Sequence, residues 1–181
     1  DLNGSDSAAK LRILSSIAFN KTISKNKILT EGIQNINLTD ILYAKSLGYK
    51  IKLLSISEIK KNKLMERVHP CLILNNSYIA KIDGVLNAVV VDGLPIGKSV
   101  LQGEGAGPGP TSSALISDLC SILKGDINYP FGVSTLLRKK ISKFNILNHL
   151  CSSYLRIEVK DQPGVLSSIT KIFASNRISI K

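Results

Sequence analysis

The segment NLTDILYAKSLGYKIKLLSI, residues 37–56, changes its hydrophobic pattern halfway along, and that change sets the fold class. Asn37 to Leu47 reads as a helix, with Asn37 or Thr39 as its cap and Gly48 as its stop. From Tyr49 to Ile56 the residues alternate, with Tyr49, Ile51 and Leu53 on one side and Lys50 and Lys52 on the other. That is the period of a half-buried strand. A helix running straight into a strand predicts a mixed α/β chain, in which helices pack on a mixed sheet.

The flanking sequence extends the pattern in both directions. Ser5 to Phe19 reads as an amphipathic helix, with Leu11, Leu14, Ile17 and Ala18 on one face and Ser5 or Asp6 as cap. Val68 to Leu74 reads as a strand that Pro70 confines to an edge or makes irregular at its start. A helical turn over Ser77 to Ile82 precedes a strand over Leu86 to Val91, a turn at Gly93 and Pro95, and a strand over Ser99 to Gln102. Pro110 or Thr111 then opens a helix ending at Gly125, with Leu115, Leu119, Ile122 and Leu123 as its buried stripe. The organisation expected is a main domain over 1–125, a linker over 126–152 with the basic run Arg138 to Lys140, and a small unit over 153–181. That last unit reads as a strand at Tyr154 to Val159, a turn, a helix from Val165 to about Ser175, and a strand beginning at Ile178.

Composition narrows the functional classes. The 181 residues are 44% hydrophobic with no long uncharged apolar run, so neither disorder nor a membrane span is expected. The start at Asp1, without a leader or an initiator Met, reads as an internal cut. The net charge of +11 comes mostly from scattered lysines, with only 5 arginines and 5% aromatics. Nucleic-acid surfaces concentrate charge and interleave aromatics, so no nucleic-acid partner is expected. Cys71, Cys120 and Cys151 have neither metal nor disulfide spacing, and read as buried or half-buried thiols of a cytoplasmic protein. His69 and His149 read as packing or surface groups, and no metal site is expected.

Two segments carry chemistry. In DLNGSDSAAK, residues 1–10, Asp6 stands at a helix start and Lys10 follows one turn later on the same side. Continuing that line reaches Leu14 and Ile17, which predicts that Lys10 sits where the helix turns inward. A lysine there needs a partner, a wet cleft or the loss of its proton. Spacing alone favours an ordinary helix-end ion pair with Asp6 as cap. In GEGAGPGPT, residues 103–111, four glycines bare the backbone ahead of a helix start, where peptide N–H groups suit an anionic or carbonyl group. Pro108 breaks the dinucleotide fingerprint, and a plain strand-to-helix turn also accounts for the loop.

Together these segments resemble the substrate half of homoserine dehydrogenases, which also share Thr30-Glu-Gly-Ile33, AKSLGYKIKLL over residues 44–54, Arg67-Val-His-Pro70 and Leu86-Asn-Ala-Val89 in the same order. The resemblance covers residues 1 to 125. It implies an oxidoreductase interconverting L-aspartate 4-semialdehyde and L-homoserine with NADP or NAD, the dinucleotide being held mainly by a Rossmann domain outside this chain. Carried over by position, Lys10 is the proton donor, Asp6 binds the substrate and orients the lysine, and Asp1 supports it. Gly105 and Gly107 contact the cofactor. A homo-oligomer, dimer or tetramer, is implied as well, and the chain alone is expected to be inactive. The tail, with Asp161-Gln-Pro-Gly-Val-Leu166 between strand and helix, resembles the first half of a ferredoxin-like ACT module, which implies an amino-acid effector. The competing class is a non-catalytic amino-acid-binding regulatory module.

Overall fold

A computed structural model describes residues 2–22, 27–126 and 128–180. The chain divides into two compact units, Asp1–Leu150 and Cys151–Lys181. In the first unit, α1 (Ser5–Ala18) is followed by a two-residue strand β1 (Leu29–Thr30), α2 (Leu38–Ser46), and the long strands β2 (Tyr49–Lys60) and β3 (Lys63–Leu74). A second hairpin, β4 (Leu86–Gly93) and β5 (Gly97–Glu104), leads into α3 (Pro108–Leu123). One sheet has the order β1-β3-β2, with β1 parallel and β2 antiparallel to β3, and the other is the β4–β5 pair. The mixed α/β class expected from residues 37–56 is the class observed.

The helix–strand junction at Gly48 folds as its sequence dictates. Asn37 Oδ1 accepts the Asp40 N–H at 3.0 Å, and Asp40 Oδ2 accepts the Asn37 N–H at 3.0 Å, a reciprocal capping box. Gly48, at φ +81°, ends the helix in a conformation that favours glycine. On β2, Leu53 packs against the core of Ala8, Leu11, Ile28 and Val68. On the opposite face, Lys50 and Lys52 both reach Asp83, at 2.7 and 2.8 Å.

The β2–β3 hairpin is longer than the sequence suggests. It extends to Lys60 and begins again at Lys63, across a two-residue turn in which Lys61 and Asn62 have φ +49° and +58°. Such a turn matches the twist of the strands. Pro70 lies inside β3, yet β1 pairs only with Arg67 and Val68, so the missing N–H of Pro70 falls beyond that short partner.

Several expected burials do not occur. The buried face of α1 is Ala8, Leu11, Ser15 and Ser16, while Leu14 and Ile17 are exposed. Small side chains let the helix approach the sheet, where Ser15 Oγ donates to Ser57 Oγ at 2.7 Å. The helix cap is Gly4, not Ser5 or Asp6. Helix α3 starts at Pro108, and its stripe of Leu115, Leu119, Ile122 and Leu123 is exposed. Cys71 is half-buried, and Cys120 and Cys151 are exposed.

Beyond α3, short 3-10 turns at Pro130–Gly132 and Thr135–Leu137 precede the stretch that returns to the start of β3, and a further one at Ile146–Asn148 follows it. Thr22 N–H donates to Lys139 O, Leu64 N–H to Ser142 O, and Phe144 N–H to Leu64 O, at 2.8 to 2.9 Å. His149 meets the hairpin tip, its Nδ1 lying 3.0 Å from Lys60 Nζ. In the second unit, α4 (Val165–Ser175) forms as expected, with Val165, Ile169 and Phe173 less exposed than their neighbours. Neither 154–159 nor 178–180 forms a strand. A strand is defined by pairing, and the apolar alternation there finds no sheet to join within the described residues. Among them, no helix is long and apolar enough to cross a membrane.

Candidate active site

Three segments are locked together around the start of α1. Gly4, at φ +78°, caps the helix and is buried; a Cβ there would meet Thr30 Cγ2 at 3.0 Å. Gly32 lies under the Leu2-Asn3 turn so closely that a Cβ would fall 2.1 Å from Leu2 O. Leu2 O accepts the Ile33 N–H at 2.9 Å, and Asn3 Oδ1 accepts from both the backbone and the hydroxyl of Ser5. Glu31 N–H donates to Val68 O at 2.8 Å, which ties this layer to β3. The mouth of α1 is therefore a backbone-on-backbone contact that only glycine permits.

On this base stand the predicted site residues. Lys10 Nζ and Asp6 Oδ2 form an ion pair at 2.9 Å, one turn apart on α1. The expectation that Lys10 faces inward is corrected: its side chain is 70% exposed and that of Asp6 50%. The line through residues 10, 14 and 17 is the outer face of the helix, because the sheet takes the face with the small residues. A pair so exposed contributes little to stability. It leaves an ammonium and a carboxylate, held one turn apart, open to whatever meets that face. Asp6 also sits in the first turn, where the helix dipole favours a negative charge. Asp1 lies outside the described residues.

The glycine loop is built for close approach. Gly105 packs against Asn87 of β4, where a Cβ would lie 2.0 Å from Nδ2. Gly107, at φ +118° and ψ 164°, is the residue before α3. That conformation is open essentially to glycine alone. At the helix start, where an anionic or carbonyl group is expected, Pro108 and Pro110 lack N–H groups and Thr111 N–H donates to Gly107 O at 3.2 Å. What remains is bare backbone with few donors, better suited to a neutral amide or ring than to a phosphate. Among the described residues, no hydrogen bond or ion pair joins this loop to Asp6 or Lys10.

Other polar contacts escaped sequence reasoning. Lys21 is 3% exposed and pairs with Glu66 Oε1 at 2.8 Å, although 45 residues separate them. Hydrogen bonds from Lys50 and Lys52 hold the Asp83 carboxyl down to about 2. The half-buried His149 has its pKa lowered, first by desolvation and then by the nearby positive charges of Arg67 and Lys60.

A fold of this kind, with a glycine-locked helix mouth and a second glycine loop ahead of a helix, matches a known family of dehydrogenases. The family model for homoserine dehydrogenase matches residues 1–120, and the chain belongs to that family. Homoserine dehydrogenase from Helicobacter pylori is 38% identical over 180 residues, covering 99% of this chain and 42% of that protein. The Pseudomonas aeruginosa homoserine dehydrogenase is 38% identical over 187 residues, covering 100% and 43%. Among solved structures, a homoserine dehydrogenase from Thiobacillus denitrificans matches with a TM-score of 0.75 at 36% identity, over 100% of this chain and 43% of that one. A Staphylococcus aureus homoserine dehydrogenase at pH 6.5 matches with a TM-score of 0.65 at 36% identity, covering 72% and 33%. The chain thus spans about two-fifths of the length of the curated relatives it matches.

Proposed function

We propose that this chain carries the substrate site of an NAD(P)-dependent homoserine dehydrogenase, acting in the cytoplasm in the biosynthesis of threonine, methionine and isoleucine. The observation that carries the reading is the 2.9 Å Asp6–Lys10 pair on an exposed helix face, above a mouth whose geometry two glycines fix. The nicotinamide cofactor, when bound, supplies the hydride, which no side chain can. Everything else in the step can be assigned to side chains. As the aldehyde of aspartate semialdehyde is reduced, charge develops on its oxygen. The Lys10 ammonium stabilises that charge and delivers the proton that completes the hydroxyl of homoserine. Asp6 holds the Lys10 amine in place and pairs with the ammonium of the amino acid. Asp1 supports it.

The glycine loop fits the neutral, nicotinamide end of the cofactor, with Gly107 and then Gly105 as the contacts. Pro108 and Pro110 make the helix start a poor seat for its phosphates. The dinucleotide would be held mainly by parts of the longer protein that this chain does not include, and a homo-oligomer accords with the exposed apolar side chains of α2 and α3. The second unit corresponds by its Asp161-Gln-Pro-Gly164 turn and helix α4 to the opening half of an ACT module, which would take an amino-acid effector. The family match over residues 1–120 favours the enzyme over a non-catalytic amino-acid-binding module. A crystal structure of the longest gene product containing this chain, with homoserine bound, tests the assignment. Lys10 Nζ is expected within about 2.6–3.2 Å of the product's hydroxyl oxygen. An Nζ turned to bulk solvent and remote from that oxygen would refute it.

A further inference from the structure

At the far end of α1 from Lys10 lies a depression of about 210 Å³, bounded by residues 21–22 and 27–28, the start of β3 and the returning segment 140–143. Lys21, Lys27, Lys140 and Lys143 line it, together with Thr22, Ile28, Leu64, Ile141 and one carboxylate, Glu66. The charge is unbalanced. Glu66 is engaged by Lys21, whose side chain is 3% exposed, at 2.8 Å. Lys143 Nζ donates to the backbone oxygen of Lys27 at 2.7 Å, which ties the returning segment to the chain ahead of β1. Among the described lining residues, four lysines and one glutamate carry an excess of three positive charges. Like charges gathered at a partly desolvated cleft repel one another unless an anion enters.

We infer that this depression binds a small oxyanion of the phosphoryl class. The lining decides the chemistry. Among the described lining residues no arginine offers the planar fork that matches a carboxylate, whereas several lysine point charges suit a compact, multiply charged, tetrahedral group. The volume exceeds the roughly 30 Å³ share of one water, so an oxyanion can enter with part of its hydration. The apolar walls of Ile28, Leu64 and Ile141 reduce solvent screening. The site lies at the opposite end of the helix from the Asp6–Lys10 pair, and reading it needs no dehydrogenase turnover, so it stands or falls apart from the catalytic assignment.

Isothermal titration of the longest gene product containing this chain with inorganic phosphate, against sodium chloride at equal ionic strength, tests the site. Saturable binding is expected with phosphate and not with chloride. The double variant Lys27→Ala/Lys140→Ala should weaken it at least tenfold. The double variant Lys61→Ala/Lys63→Ala, which removes equal charge from the hairpin tip, should leave it within twofold. Should the first variant fold poorly, Lys140→Glu, reversing one exposed charge, should give the same loss. Glycerol 2-phosphate separates two sources of the same chemistry. Binding as tight as that of phosphate assigns the site to the phosphoryl end of a larger compound, and its exclusion assigns it to free phosphate. Absence of saturable binding, or equal weakening by the two double variants, would overturn the inference.

Discussion

One glycine and one aspartate show how much a single position controls in this chain. Gly32 supports the Leu2-Asn3 turn at a distance no Cβ can occupy, 2.1 Å from Leu2 O. Gly32→Ala must push that turn away, and overpacking of this kind costs about 1–3 kcal/mol. A lowered urea midpoint is expected; an unchanged one would mean that the turn does not pack as described. Asp83 makes a prediction about pH. Its carboxyl is held at about 2, below its ordinary 3.8, by hydrogen bonds from Lys50 and then Lys52. A group whose pKa is depressed by folding contributes stability above its unfolded value and loses it as pH falls through the folded value. The stability gap between the native chain and Asp83→Asn should therefore be full above about pH 4 and close on the way down to about pH 2. A gap that stays constant across that window would show that Lys50 and Lys52 do not hold the carboxylate. These residue-level constraints are not legible in sequence, because Gly32 and Leu2 are far apart along the chain and Asp83 is 33 and 31 residues from Lys50 and Lys52.

At the scale of the element, the sequence was most legible where local chemistry decides and least where pairing does. Helix α2 begins at Leu38 after its Asn37 cap and stops at Ser46 before Gly48, because the capping box and the left-handed glycine are local devices. Asn37→Ala should lower stability by about 0.5–2 kcal/mol in chemical denaturation, and no loss would contradict the reciprocal cap. The β2–β3 turn was missed because Lys61-Asn62 carries no glycine to announce its positive φ values. The strands expected at 154–159 and 178–180 did not form, since alternation shows which side chains could be buried and not whether a partner strand is present. The inner face of α1 was misread for a related reason. Larger apolar residues suggested Leu14 and Ile17, yet the sheet accepted Ala8, Ser15 and Ser16, which allow closer approach. The same misreading placed Lys10 inward. The Asp6–Lys10 pair itself was legible, since a spacing of one helical turn needs no tertiary information.

At the scale of the molecule, a large share of the apolar surface belongs to no core within this chain. Leu115, Leu119, Ile122 and Leu123 of α3, and Leu38, Ile41, Leu42 and Leu47 on and beside α2, are exposed. The chain spans about two-fifths of its curated relatives, and such faces accord with a part that is covered in a larger protein. Family membership came from motif order, which survives without knowledge of packing. The placement of Asp6 and Lys10 on an open face depends on packing, which motif order does not carry. The role proposed for Lys10 is to give a proton in the reduction of an aldehyde. Steady-state kinetics of the longest gene product, with and without Lys10→Ala, measure this directly. A fall in kcat of about 10²–10⁴ with an unchanged melting temperature is expected, because Lys10 is exposed and its proposed role lies in the chemistry and not in the fold. A variant that keeps the native kcat would contradict it.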